Sequence, residues 1–184
     1  MVPVTGNFQA ETALNPLAQE ALLAAFESGW ADPKKIGQNS SKAAILRNNA
    51  LESISHRLGL GVDQIEITGE VGLSYFLSLA GFLSSEKTLY FGAGDRSGVI
   101  ATVRSHQGQN KEIALLPDGR LDFGTAAIKE NSILAFQLAN GESGAINSLP
   151  DQLPNDLLIA IDATASGSRV PLPARWDSAA FDSR

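Results

Sequence analysis

The sequence predicts an α/β protein with a mostly parallel sheet covered by helices on both faces, a three-layer α/β/α sandwich. Segments with the apolar spacing of helices alternate with short runs that have the character of strands. The runs "ILAFQLA" and "LLIAID" are apolar almost throughout, as expected for buried strands of a parallel sheet. A length of 184 residues fits a single domain, 1–184, and no internal repeat or low-complexity linker divides it.

The first predicted element is a helix in "NPLAQEALLAAFESGW". Asn15 stands at the N-cap, Pro16 occupies the first helical position, and Gly29 falls where the helix should end. Three apolar residues are expected to face inward: Leu22, Leu23 and Phe26.

A second amphipathic helix is predicted in "NSSKAAILRNNALESISHRLGLG", with a Ser N-cap and an end at Gly59. The remaining elements follow in order. "DQIEIT" is predicted as a strand, "EVGLSYFLSLAGFL" as a helix, "KTLYF" as a strand and "GVIATVRSH" as a helix. "EIALLP" is a strand, "PDGR" a turn and Thr125 to Lys129 a short helix, before the two buried strands named above.

Composition and charge exclude several classes of protein and site. The chain is 43% hydrophobic and 18% charged, which is typical of a globular protein. Its net charge of −6 and its lack of a basic cluster argue against nucleic-acid binding. The start lacks a basic and apolar leader and no apolar run is long enough to cross a membrane, so a cytoplasmic protein is expected. Without cysteine, this sequence offers no disulfide, thiolate metal site or thiol nucleophile.

One carboxylate, Asp162, directly follows five apolar residues of the last predicted strand. An Asp in this position can cap the turn that follows the strand. Alternatively it can face a ligand, because ligand sites of open α/β sheets gather at the carboxyl ends of strands.

Six segments occur in an order that points to one family: "NPLAQEALLAAF", "IEITGEVGLSYFLSL", "FGAGDRSGV", "LLPDGRLDF", "QLANGESGAIN" and "IAIDATASGSRVPL". From about Thr12 to Leu172 the chain resembles the N-terminal half of a fold-type I pyridoxal-phosphate (PLP) enzyme of the class V aminotransferase and cysteine desulfurase group. The resemblance implies part of the large domain of PLP transferases.

The resemblance also implies PLP-binding roles for five residues. Asp162 would pair with the protonated pyridine nitrogen, and the amides of Val71 and Gly72 would hold the phosphate at a helix N-terminus. Arg96 would stack on the ring where the family has His, and Asn140 would replace an Asn that contacts the phenolic oxygen. An amino acid would be the substrate of an active protein.

Several positions depart from the family pattern. Glu70 stands where the family usually has Gly, and a carboxylate at a helix N-terminus repels a phosphate dianion. Gly72 stands where a hydroxyl residue usually contacts the phosphate. Gly141 and Ala165 replace an Asn and a Gln that contact the ring. Arginine at 96 can stack but cannot exchange protons at neutral pH.

The largest departure is chemical. The family holds PLP covalently on a Lys that follows the Asp segment, whereas the last lysine here is Lys129. We therefore expect no catalytic residue in this chain and no catalysis by it alone, and cysteine desulfuration is excluded because the chain has no Cys. A homodimer or a complementing chain is expected to complete the site, with no role for nucleic acid or membrane.

Two other functions remain open. The first is a non-catalytic interaction or remnant domain that keeps the fold. The second is nucleotide binding, because glycines at 92, 94 and 98 follow a strand and precede a helix; however, Asp118 lies in a turn rather than at the end of the next strand. His56 and His106 are predicted as solvated helix-end residues, and no metal site is expected.

Overall fold

The computed structural model describes residues 14–29, 31–167 and 169–182, and these form two compact units. The first unit, residues 14–67, contains helices α1 (Pro16–Ser28) and α2 (Gln38–Leu58) and a short 3-10 helix (Val62–Gln64). The second unit, residues 68–182, contains the sheet. In chain order its elements are α3 (Val71–Ala80), β1 (Thr88–Gly92), α4 (Ser97–Ser105), β2 (Asn110–Ile113), β3 (Ser132–Gln137), β4 (Leu158–Asp162) and β5 (Ser178–Ala180).

The caps of the first unit confirm the predicted helix ends. The side chain of Asn15 accepts a hydrogen bond from the Leu17 amide, and Gly59 ends α2 in the left-handed conformation at φ 68°. The inward-facing residues predicted for α1 are instead exposed, because no surface covers its apolar stripe in the described part of this unit: Leu22, Leu23 and Phe26. The predicted Ser N-cap of α2 is wrong, since Gly37 precedes the helix and makes no side-chain cap.

The predicted α/β class and parallel sheet are confirmed. The five strands lie in the order β2-β1-β3-β4-β5, and every neighbouring pair is parallel. Side chains alternate between the two faces of the central strands. One face packs with Tyr75, Val99 and neighbours on α3 and α4. The other packs with Phe123, Leu149 and further loop residues, so segments without helices form the second outer layer of the described unit.

Two sequence predictions about elements are wrong, and one strand was missed. The segment "DQIEIT" forms a 3-10 turn followed by irregular chain, not a strand. Residues 125–129 are not helical, because the carboxylate of Asp122 accepts hydrogen bonds from the Gly124 amide and the Thr125 hydroxyl and closes a turn there. Strand β5 was not predicted, since three residues, "SAA", carry no strand signal.

His106 is buried, contrary to the prediction of a solvated helix end. Only 7% of the residue is exposed; Nδ1 lies 2.8 Å from Oδ1 of Asn110, and Nε2 lies 2.9 Å from the Ser84 carbonyl oxygen. Both ring nitrogens thus have polar partners inside the unit. His56, on α2, is exposed as predicted.

Arg175 fixes the entrance to β4 from the segment before β5. Its guanidinium donates hydrogen bonds to the carbonyl oxygens of Pro154, Asn155 and Leu157. Arg175→Met keeps the length of the side chain but removes these donors, so we expect the free energy of unfolding to fall by about 1–2 kcal/mol. Urea unfolding measures it, with the exposed Arg169→Met as the control. Equal stability of the two variants would contradict this role.

No helix in the described residues is long and apolar enough to cross a membrane.

Candidate functional site

The candidate site lies at the carboxyl ends of β1, β3 and β4. Parallel strands bring these ends to one edge of the sheet, and polar side chains follow each of them. Asp95 and Arg96 follow β1, Gln137 ends β3 and Asp162 ends β4. From its own pattern the sequence pointed to this edge through Asp162, and the family resemblance added Arg96 and Asn140.

Asp162 is a buried carboxylate whose two oxygens have different surroundings. The residue is 6% exposed. Oδ1 accepts hydrogen bonds from the Thr164 amide at 3.0 Å and the Thr164 hydroxyl at 2.6 Å. Oδ2 is buried and has no hydrogen-bond partner in the described structure. The turn-capping interpretation therefore accounts for Oδ1 and leaves Oδ2 available for another group.

Tyr75 supports this carboxylate from α3. Its hydroxyl lies 2.7 Å from the Thr164 hydroxyl, which in turn contacts Asp162. Burial, followed by the negative charge of Asp162, raises the pKa of Tyr75 to about 12. The phenol therefore keeps its proton at neutral pH and can donate it to Thr164, whose own proton is then directed to Asp162.

Among the described residues, Arg96 is the cation that pairs with the free oxygen. Its Nε lies 3.7 Å from Oδ2 of Asp162, which is within ion-pair range but too long for a hydrogen bond. The Arg96 side chain is 42% exposed, against 5% for that of Asp162. Its Nη2 lies 3.1 Å from the point that a Cβ on Gly141 would occupy, so the guanidinium extends over the glycine.

Asp95 is a second carboxyl group at this edge. Its Oδ2 accepts a hydrogen bond from the Gly92 amide at 2.8 Å, whereas its Oδ1 is buried and has no partner in the described structure. Burial raises the pKa of Asp95 to about 7, the Gly92 amide opposes the rise, and the charge of Asp162 adds to it. Asp95 is thus partly protonated at neutral pH.

Asp95 and Asp162 both line a cavity of about 10 Å³ between the sheet, α3 and α4. This volume is close to what a single water molecule requires. A larger cavity, about 240 Å³, is lined by Leu116, Phe123, Leu149 and their neighbours. Its one charged residue, Arg120, pairs with Asp118, so the polar groups with unmet hydrogen bonds lie at the smaller cavity.

Asn140 holds a loop together. Its Nδ2 donates to the Gly94 carbonyl and to Oε1 of Gln137, and its Oδ1 accepts from the amides of Glu142 and Ser143. Both ends of the amide are therefore engaged within the protein, and the predicted contact with a ring would use an already bonded group.

Val71 and Gly72 begin α3, where backbone amides have no partners inside the helix. Glu70 occupies the N-cap but makes no side-chain cap, and its Oε1 lies 3.2 Å from the point that a Cβ on Gly72 would occupy. The carboxylate of Glu70 thus lies beside Gly72 in the first turn of α3.

The glycines of the nucleotide-like pattern have packing roles. A Cβ on Gly92 would lie 2.7 Å from a methyl carbon of Leu121, and one on Gly98 would lie 2.8 Å from the ring of Tyr75. Close packing therefore accounts for both glycines. No group of three or more potential metal ligands occurs among the described residues.

Four residues at this site had no role predicted from the sequence: Tyr75, Asp95, Gln137 and Thr164. Each lies in a segment whose apolar or turn-forming character dominates. A signal did exist for Thr164, since a hydroxyl residue two positions after a strand-end Asp can bond back to it.

No family model and no curated protein sequence matches this chain. Solved structures do match it. A NifS-like protein superimposes with a TM-score of 0.79 at 16% identity, over 95% of this chain and 53% of its own. A C-DES variant with glycine covalently linked to the PLP cofactor has a TM-score of 0.68 and 14% identity, and the match covers 95% of this chain and 51% of the variant. The cysteine desulfurase CsdA from Escherichia coli has a TM-score of 0.60 and 12% identity, and the match covers 81% of this chain and 42% of CsdA.

These likenesses show the fold. The chain has the α/β fold of NifS-like proteins and cysteine desulfurases, and it spans about half the length of the structures it matches. The resemblance read from the order of motifs is thereby confirmed as a likeness of fold.

Proposed function

We propose that this chain forms the ring-binding part of a PLP site, in which Asp162 holds the protonated pyridine nitrogen. The supporting observation is the free oxygen of Asp162: Oδ2 is buried and lacks a hydrogen-bond donor, while Oδ1 is fixed by Thr164. A cationic ring nitrogen would supply the missing donor. When bound, PLP supplies an electron sink for amino-acid chemistry.

The other proposed contacts with PLP come from residues near the same edge of the sheet. The amides of Val71 and Gly72 would hold the phosphate, Arg96 would lie against the ring face, and Asn140 would border the phenolic side. Tyr75 and Thr164 would keep the Asp162 side chain oriented. Because Glu70 lies at the phosphate end, we expect binding to be weak.

The covalent step of such an enzyme needs an amine that this sequence does not place beside Asp162. No Lys occurs after Lys129. In our proposal the amine comes from residues outside these 184, either on a longer form of the protein or on a second chain. A homodimer or a complementing chain would complete the site in this way, with an amino acid as substrate.

A non-catalytic role is the second candidate, and two observations favour it. Arg96 already provides a positive charge for Asp162, and Glu70 already provides a negative charge for the N-terminus of α3. A domain that no longer binds PLP would be stabilised by both.

An absorption titration with PLP tests the proposal. We expect weak, saturable binding with no Lys labelled stoichiometrically after borohydride reduction and mass mapping. Asp162→Asn removes the charge with little change of shape and should weaken binding about tenfold or more, because hydrogen bonds to charged groups contribute about 1.5–3 kcal/mol. The exposed Asp151→Asn is the matched control. Equal affinity of the wild type and Asp162→Asn would favour the non-catalytic role.

A further inference from the structure

We propose that the Arg96 side chain is a movable gate that closes over Asp162, so that no ligand reaches the free carboxylate oxygen until Arg96 swings away. The gate concerns access to the site in the proposed function, but it can be tested without PLP. Its basis is the combination of a buried charged oxygen, an exposed cation beside it and a set of fixed walls.

The free oxygen is inaccessible in this structure. Oδ2 of Asp162 is buried, and the adjoining cavity of about 10 Å³ holds roughly one water molecule. A six-membered ring is many times larger than this space. At least one of the groups around Oδ2 must therefore move before a ring nitrogen comes within hydrogen-bond distance.

Most walls of the cavity belong to the packed core and are poor candidates for movement. Tyr75, Val99, Phe136, Gln137 and Ile161 are each less than 5% exposed. Moving any of them would disturb close packing between the sheet and its covering layers.

Arg96 does not line this cavity but lies beside Oδ2 of Asp162, and it differs from the cavity walls in its exposure and its contacts. Its side chain is 42% exposed, makes no capping hydrogen bond to α4 and holds Asp162 only through a 3.7 Å ion pair. At this distance the guanidinium makes no direct hydrogen bond to Oδ2, and its outer part faces solvent. A rotation about the side-chain bonds of Arg96 can therefore open the site without changing the backbone.

Gly141 makes room for the closed position. The Nη2 atom of Arg96 lies 3.1 Å from the point that a Cβ at residue 141 would occupy, and Ala165 lies 3.5 Å from the same point. Small residues at 141 and 165 thus leave the space that the guanidinium extends over. A larger side chain at 141 would push the guanidinium away from its closed position.

The gate also sets which ligands can enter. Arg96 neutralises Asp162 when closed, so an incoming group must replace a positive charge with another positive charge or leave a buried carboxylate without a counter-ion. We expect the site to admit cationic aromatic nitrogens and to reject neutral rings of the same size.

Carbodiimide footprinting of the ligand-free chain tests the gate. A carbodiimide with an added amine labels carboxylates that solvent reaches, and mass mapping gives the rate for each residue. In the wild type Asp162 should be protected, while the exposed Asp151 labels rapidly. In Arg96→Gln the labelling of Asp162 should rise about tenfold or more, because an open state that is populated at about 0.1–10% becomes dominant.

Two controls separate a gate from a loss of structure. Asp95 is covered by the fixed walls and should stay protected in Arg96→Gln, whereas general loosening of the fold would expose both carboxyl groups. Arg104→Gln removes an exposed arginine from the last turn of the same helix and should leave Asp162 protected.

Each outcome is decisive. Faster labelling of Asp162 alone in Arg96→Gln supports the gate, and unchanged labelling overturns it. Gly141→Leu provides a second way to displace the guanidinium and should also expose Asp162; protection in both variants would show that another group covers the oxygen. A gate confirmed by footprinting, together with no PLP binding to the wild-type chain, would refute the proposed function and leave the gate standing.

Discussion

Replacing His106 with Ala is expected to lower the free energy of unfolding by about 2–4 kcal/mol, because two hydrogen bonds and a packed ring are lost together. Nδ1 contacts Oδ1 of Asn110 at 2.8 Å and Nε2 contacts the Ser84 carbonyl at 2.9 Å, so one ring ties the start of β2 to the loop before β1. Asn110 also donates to the Val103 carbonyl at the end of α4. Urea unfolding monitored by circular dichroism measures the loss.

The second histidine provides the control. His56 is exposed on α2, and His56→Ala should change stability by no more than about 0.5 kcal/mol. If both substitutions have the same small effect, the contacts of His106 do not stabilise the fold.

The stability of the chain is expected to fall as the pH rises from 5 to 8, and Asp95 is expected to be a main cause. In the folded state burial raises its pKa from 3.8 to about 7. The folded state therefore keeps a proton that the unfolded state releases, and the stabilisation present at low pH is lost as the pH approaches 7. Over this interval the loss from Asp95 is about 2–3 kcal/mol, at 1.36 kcal/mol for each pH unit.

Asp95→Asn isolates this contribution. Its amide oxygen can still accept the hydrogen bond from the Gly92 amide but cannot ionise. Unfolding free energies at pH 5 and pH 8 should therefore differ by about 2–3 kcal/mol less in the variant than in the wild type. Parallel pH profiles for the two proteins would mean that Asp95 ionises normally in the folded state.

The parts of the fold that the sequence predicted well are those with a strong local cause. Pro16 and Gly59 mark helix ends because each fixes or permits a particular backbone conformation. The apolar runs of β3 and β4 predict central strands, since a strand covered on both faces needs apolar side chains on both. In the structure every residue of β3 and four of the five in β4 are buried. Residues 65–68 and 125–129 lack such a cause, and the turn at Asp122 decides the structure of 125–129.

Only part of the site could be predicted from the sequence, for a related reason. Asp162 stood out because a charge interrupts an apolar run, but its relationship to Arg96 and Asp95 depends on the order of strands in the sheet. The burial of Asp95 and the free oxygens of both carboxyl groups are properties of packing. No pattern of neighbouring residues specifies them.

The most direct test of the account compares two ligands that differ by one atom. Isothermal titration calorimetry would measure the affinity of the chain for PLP and for its 1-deaza analogue, in which a C–H replaces the ring nitrogen. If Oδ2 of Asp162 receives the ring nitrogen, the wild type should prefer PLP by about tenfold or more, and Asp162→Asn should lose the preference. Equal affinity of the wild-type chain for the two compounds would contradict the account.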